Sequence, residues 1–174
     1  SIGAVYRHRE VGYILGYAET ALLLIPDKYR GFDYAKMVAE LWPELPQLKH
    51  VFVAGERVPD SMRGFAELLQ QPWEEQVERA TIEALRPNSN MLATLMFTSG
   101  TTADPKGVMH THNTMVAGTT QYAQTYGHNG DDVIFMASPI GHSTALLVGA
   151  RLPVQIGATA VWQEHWQPEA AVAL

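Results

Sequence analysis

Short apolar runs alternate with segments of helical periodicity along most of this chain, and that alternation narrows its possible folds more than any other feature. Residues 21–26, 50–54, 92–97, 132–137 and 159–162 have the length and β-leaning composition of core strands. Residues 5–19 place Val11, Ile14, Leu15 and Ala18 at helical spacing. Asp33 is placed to cap a second helix with Met37, Val38 and Leu41 on its buried face, ending near Pro43 and Pro46. Residues 61–71 and 74–85 read as two further helices separated by Pro72, with 87–90 as a turn. Asn113 is the expected cap of a helix that runs to Tyr126, carries Met115, Val116, Thr119, Tyr122 and Ala123, and stops in Gly127-His128-Asn129-Gly130. A helix is expected after His142 through Leu152, and Pro168 opens a last one. Strands that return through helices pair in parallel with right-handed crossovers. The expected fold is therefore α/β, a mostly parallel sheet with helices on both faces, with residues 1–174 as a single segment.

The run 92–97 ends abruptly in Thr98-Ser99-Gly100-Thr101-Thr102-Ala103-Asp104-Pro105-Lys106-Gly107. Ser99, Thr101 and Thr102 offer hydroxyl donors, and Gly100 and Gly107 allow close backbone approach. Lys106 adds a mobile point charge, which completes the parts of an anion cradle. Pro105 fixes its own φ and keeps Asp104 out of the helical region, so the loop is stiffer than its composition suggests. A Walker A loop needs Gly-Lys followed by Ser or Thr at a helix start. Here Lys106 precedes Gly107, and Val108-Met109-His110-Thr111-His112 alternates like a second strand, giving strand-loop-strand.

The string Thr98-Ser99-Gly100-Thr101-Thr102-x-x-Pro105-Lys106-Gly107 closely resembles the phosphate-binding signature of the AMP-forming adenylating enzymes, which include acyl- and aryl-CoA synthetases, luciferases and peptide-synthetase adenylation domains. Ala103 stands where that family most often has glycine. The resemblance covers the middle of the family's large N-terminal domain. It implies that Thr98, Ser99, Gly100, Thr101, Thr102, Lys106 and Gly107 bind the phosphates of ATP with Mg²⁺, and that Lys106 is catalytic. It further implies activation of a small-molecule carboxylic acid, fatty or alicyclic from the look of residues 142–158, to an acyl-adenylate and then a coenzyme A thioester. The family's metal-binding acid, ribose-binding aspartate, hinge and C-terminal lysine have no counterpart here, so no metal ligand is assigned and the small C-terminal domain is absent. On that reading the chain is a fragment, and inactive alone. A non-catalytic α/β module that binds an anion or a protein partner is the alternative.

His142 follows Pro139 by three residues just after a strand. This Pro-x-x-His resembles the family motif whose histidine or aromatic residue lies between acyl pocket and pantetheine tunnel, which makes His142 the second catalytic candidate. Gly141 replaces the family's usual bulky neighbour, and Ala145 stands where glycine is common. His110 and His112, two apart on the expected strand, would share a face, but no third ligand is placed beside them and their reading is hydrogen bonding at the strand end. Trp42 and Trp73 read as core or interface residues.

Composition excludes several functions. A net charge of −6 with scattered Lys and Arg leaves no basic stripe for nucleic acid. Zero cysteines rule out thiolate chemistry within these residues and fit a cytoplasmic protein. No apolar run approaches the ~18 residues of a membrane span. Charged residues are 17% of the chain, below the roughly 25% usual for soluble domains. That deficit fits a surface covered by the rest of a longer protein, and it leaves self-association open.

Overall fold

The computed structural model describes residues 1–98 and 104–173. Among them the chain divides into two units, one of residues 6–87 with 104–105 and one of residues 1–5, 88–98 and 106–173.

In the first unit, α1 (His8–Tyr17) buries Val11, Ile14 and Leu15 as the spacing predicts. Ala18 is instead its exposed C-cap. Strand β1 (Leu22–Pro26) leads into a two-residue hairpin, β2 (Lys28–Tyr29) and β3 (Phe32–Asp33). Its turn places Arg30 at φ 53° and Gly31 at φ 79°, the left-handed pair that suits the twist of a tight hairpin. Asp33 caps α2 (Tyr34–Leu41) as expected, accepting the Lys36 N–H at 2.9 Å. A 3-10 turn (Trp42–Glu44) follows, with the Trp42 indole donating to the Leu48 carbonyl at 2.8 Å. Strand β4 (His50–Ala54) pairs in parallel with β1, Leu22 opposite His50 through Pro26 opposite Ala54, and with β5 (Arg63–Gly64) on its other side. Being central, β4 buries Val51, Phe52 and Val53 to 3% exposure or less. The expectation that β1 is buried along its length is corrected: Leu22 and Leu24 are 52% and 47% exposed, because β1 is the edge strand of its sheet.

The two helices expected over 61–85 are shorter and broken. They appear as α3 (Phe65–Gln70), α4 (Trp73–Gln76) and α5 (Arg79–Ala84), with Val77 and Glu78 extended. None of the three buries a residue, and helices this short need a buried face to persist. Trp73 lies 41% exposed on the surface, its indole donating to the Leu68 carbonyl at 2.7 Å. At the carboxyl end of the β1–β4 pair, Asp27 accepts the backbone N–H of Lys28 at 2.5 Å and of Arg57 at 3.3 Å. These hydrogen bonds, the one from Lys28 foremost, hold its carboxyl below the usual range. A Cβ at Gly55, where φ is 157°, would lie 2.4 Å from Asp27 Cγ, so glycine is what lets the chain pass.

In the second unit, β6 (Leu92–Thr98) pairs antiparallel with β7 (Lys106–Thr111), a strand-loop-strand as read from the sequence. Thr111, not Asn113, caps α6 (His112–Tyr126): its hydroxyl accepts the Thr114 N–H at 3.1 Å while Thr114 Oγ1 accepts the Thr111 N–H at 3.0 Å. Asn113 instead donates its side-chain amide to Asn90 at 2.7 Å and its backbone N–H to Ser89 at 3.1 Å. Gly127, at φ 71°, closes the helix where expected. Strand β8 (Val133–Met136) pairs in parallel with β9 (Thr159–Trp162).

The helix expected between them is wound as a π-helix over Ala145–Arg151, its last bond running from the Leu152 N–H to the Leu147 carbonyl, and continues as α7 (Leu152–Ile156). Buried Ala123, Ile134 and Leu152 form the core here, with Tyr122, Val148, Ile156 and Ala158 against them. Buried Thr119 bonds back to the Met115 carbonyl at 3.0 Å and meets Gln155, whose amide donates to Thr120 at 2.6 Å. The chain ends in α8 (Pro168–Ala173). Parallel pairing thus holds for β1–β4–β5 and β8–β9, while both hairpins are antiparallel because a short loop cannot make a crossover.

Two expectations about stability follow. A Cβ at Gly149 would lie 2.6 Å from Met136 Cγ and 3.0 Å from Trp162 Cη2, so the π-helix backbone rests directly on β8 and β9. Gly149→Ala in the intact protein should lower stability by about 1–3 kcal/mol in chemical denaturation. The second concerns Asp132, which accepts the Asn129 N–H at 3.0 Å and meets His128 Nδ1 at 2.9 Å. The Asn129 bond first and His128 second lower its pKa from 3.8, so its contribution is present above that value and lost as pH falls through the folded one. Urea titrations stepped downward from pH 5 should show wild type losing stability more steeply than Asp132→Asn.

Candidate nucleotide-binding hairpin and histidine loop

The hairpin register decides what the Ser/Thr/Gly loop can present. Phe97 stands opposite Gly107 and Thr98 opposite Lys106, so the last ladder pair consists of two of the residues assigned to phosphate. Thr98 Oγ1 lies 3.5 Å from the Lys106 carbonyl, and both residues are exposed. Lys106 opens β7 rather than sitting free in the loop, which gives its backbone a fixed origin and leaves the side chain to move. Gly107 is part of the same strand. Ser99, Gly100, Thr101 and Thr102, the other assigned residues, lie outside the described residues.

Strand β7 ends at Thr111, so His110 lies in the strand and His112 is the first residue of α6. This corrects the expected shared face: the helix start turns the chain between them. Among the described residues no group of three His, Cys, Asp or Glu is placed to hold a metal ion.

His142 lies beyond the carboxyl end of β8, as expected. Its N–H donates to the Pro139 carbonyl at 2.8 Å, and its carbonyl accepts the Leu146 N–H at 3.1 Å. Its Nδ1 accepts the Thr144 N–H at 3.3 Å. A neutral ring that accepts at Nδ1 carries its proton on Nε2, so the exposed imidazole has an N–H donor on its other nitrogen. The loop is backed by the start of the chain. Ser1 Oγ donates to the Ile140 carbonyl at 2.9 Å, and a Cβ at Gly141 would lie 3.2 Å from the Gly3 nitrogen. A side chain at Gly141 would crowd the backbone of Gly3. The hairpin and the His142 loop belong to different sheets of this unit.

Two features escaped the sequence reading. Arg151, in the last turn of the π-helix, has a buried Nε with no hydrogen-bond partner among the described residues. In the first unit, Asp104 pairs with Arg9 of α1 at 3.3 Å, a contact across 95 residues that no local pattern signals. A cavity of about 320 Å³ in the same unit is lined by Asp27, Asp33, Lys36 and Arg57 among others. Its charges are already paired, with Arg57 Nε 3.6 Å from Asp27, Arg57 Nη2 4.0 Å from Asp33 and Lys36 Nζ 3.9 Å from Glu40, so it reads as structural. Among the described residues no helix is long and apolar enough to cross a membrane.

Comparison with known proteins covers nearly the whole chain. A 2-hydroxy-7-methoxy-5-methyl-1-naphthoate–CoA ligase from Streptomyces carzinostaticus is 34% identical over 97% of this chain and 31% of its own length. A medium-chain fatty-acid–CoA ligase from Escherichia coli is 29% identical over 97% of this chain and 29% of its own. The chain thus spans about a third of the length of these relatives. The solved structure of an anthranilate CoA ligase in complex with anthranoyl-AMP superposes with a TM-score of 0.80 over 99% of this chain and 31% of that one, at 20% identity, which shows a shared fold. The model of the family described as AMP-binding enzyme matches residues 2–174, and the chain belongs to that family.

Proposed function

We propose that the intact protein activates a carboxylic acid with ATP and transfers the acyl group to coenzyme A, this segment supplying the phosphate-binding hairpin. The observation that carries the reading is the placing of Thr98 and Lys106 as the closing pair of an antiparallel hairpin whose loop is rich in hydroxyls and glycine, within a chain matched by the family along its length. The chemistry asks for such a device. A carboxylate oxygen attacks the α-phosphorus of ATP, the bond to the bridging oxygen breaks, and pyrophosphate leaves; the attacker and the polyphosphate are both anionic. Lys106 and the loop hydroxyls neutralise the outer phosphates and hold the leaving group in line. In the second step the thiol sulfur of coenzyme A attacks the acyl carbonyl, AMP departs, and the thiol proton is released. His142, with Nε2–H as its donor, is assigned to the acyl end of the site, where the thiol arrives.

The described residues contain no acid cluster for Mg²⁺, and no step here is routed through it. We place the acid in the fatty or alicyclic class on the sequence of residues 142–158. The relatives above are named for a naphthoate and for fatty acids, so the acids tested must span aromatic and aliphatic. A cytoplasmic location is part of the same proposal, on the absence of cysteine.

In the intact protein, Lys106→Ala should reduce carboxylate-dependent ATP–pyrophosphate exchange by about 10²-fold, the scale of one lost oxyanion donor. Unchanged exchange would remove the assignment. His142→Ala should slow thioester formation or weaken acid binding with little change in melting temperature, since its side chain is exposed on a loop. A large drop in melting temperature with normal kinetics in the folded enzyme would make His142 a structural residue.

A further inference from the structure

His142 is exposed, so its ring is not fixed by being packed in a core. Where the imidazole stands is decided by the backbone that carries it. That backbone is a four-residue turn, 139–142, closed by the His142 N–H on the Pro139 carbonyl at 2.8 Å.

The turn is held from two sides. On one side the chain runs into the helical segment that follows, where the His142 carbonyl accepts the Leu146 N–H at 3.1 Å and Nδ1 accepts the Thr144 N–H at 3.3 Å. On the other side it rests on residues 1–3, which belong to the same unit. Ser1 Oγ donates to the Ile140 carbonyl at 2.9 Å, a bond across 139 positions. A Cβ at Gly141 would lie 3.2 Å from the Gly3 nitrogen, 3.4 Å from Gly3 Cα and 3.5 Å from the Ile2 carbonyl carbon. All three are backbone atoms, which cannot swing away as the end of a side chain would. The φ of Gly141 lies outside the left-handed region, so the shape of the turn does not call for glycine there. The space does.

We propose that residues 1–3 are a positioning strap for His142: they take the place of a side chain at position 141 and fix the turn from which the imidazole serves the acyl end of the site. This rests on the functional reading above and deepens it. The strap bears on the step in which the thiol sulfur attacks the acyl carbonyl and AMP leaves, and not on the earlier attack at the α-phosphorus.

The test uses the intact protein and whichever acid of an aromatic and aliphatic series gives the fastest ATP–pyrophosphate exchange. Two rates are read: exchange at saturating acid, and single-turnover formation of the coenzyme A thioester from preformed acyl-adenylate. Gly141→Ala forces the turn by a few tenths of an ångström, a fraction of the 1 Å misplacement that costs about 10²-fold, so it should slow thioester formation roughly three- to thirtyfold and hold exchange within about twofold of wild type. Ser1→Ala, at an exposed site, should slow thioester formation less, and Ser1→Thr should restore it. In a His142→Ala background Gly141→Ala should add nothing, since it acts through the imidazole. A wild-type rate of thioester formation in Gly141→Ala overturns the inference, and so does a Gly141→Ala that slows the His142→Ala protein as much as it slows wild type. Should Gly141→Ala not fold, Ser1→Ala decides alone, a wild-type rate again overturning the inference. If these failures occur while His142→Ala is impaired, the functional reading stands without the strap. If His142→Ala forms thioester normally, or no acid supports exchange, the functional reading itself fails and takes the inference with it.

Discussion

The antiparallel pairing of β6 with β7 is the interaction on which the candidate site depends. Each strand alone is half-buried at best, with Met109 73% exposed, so neither is held in place mainly by packing. What holds them is the ladder from Leu92 opposite Thr111 to Thr98 opposite Lys106, and the start of α6 that follows directly. The reciprocal Thr111–Thr114 cap turns the chain from strand to helix without an intervening loop. The hairpin is thereby tied at its base.

The other sheets show how burial and chemistry are kept apart. In β4 three successive residues are fully covered, as a central parallel strand requires, and none of them carries a reactive group. The polar groups gather just past the carboxyl ends. Asp27 follows β1, where it is clamped by the N–H groups of Lys28 and Arg57, and His142 follows β8, where its Nδ1 is engaged by Thr144. Asp27 spends its lone pairs on the fold. His142 has one ring nitrogen engaged by Thr144 and is exposed, and its catalytic role belongs to the proposal above. The π-helix after the His142 loop belongs to the same pattern. Gly149 lets the backbone settle onto Met136 and Trp162, and the wider winding brings Arg151 to the end of that segment with its Nε buried.

Much of this was legible in the residues. Apolar runs located β1, β4, β6, β8 and β9, because a core strand must be continuously or alternately apolar. Asp33 and Gly127 marked helix ends, because a short acceptor side chain and a left-handed residue are local requirements read one residue at a time. The hydroxyls, glycines and one lysine between two strands are what carry the proposal of phosphate binding.

Other features were settled only by the folded chain, and in each case through distance in sequence or competition for a partner. Asn113 and Thr111 are both good caps, and Thr111 prevails because Asn113 is drawn to Asn90 and Ser89. His110 and His112 have the spacing of a shared strand face, but the helix begins between them. Residues 74–85 have helical composition yet break at Val77 and Glu78, since no core lies under them to hold a longer helix. Arg9 and Asp104 meet across 95 residues, and no periodicity encodes such a contact. Sequence determined most of the local elements because those follow from residue type and neighbours. Tertiary structure decided which strand lies at an edge, which cap is used and which charges are paired, because those depend on what the rest of the chain places alongside.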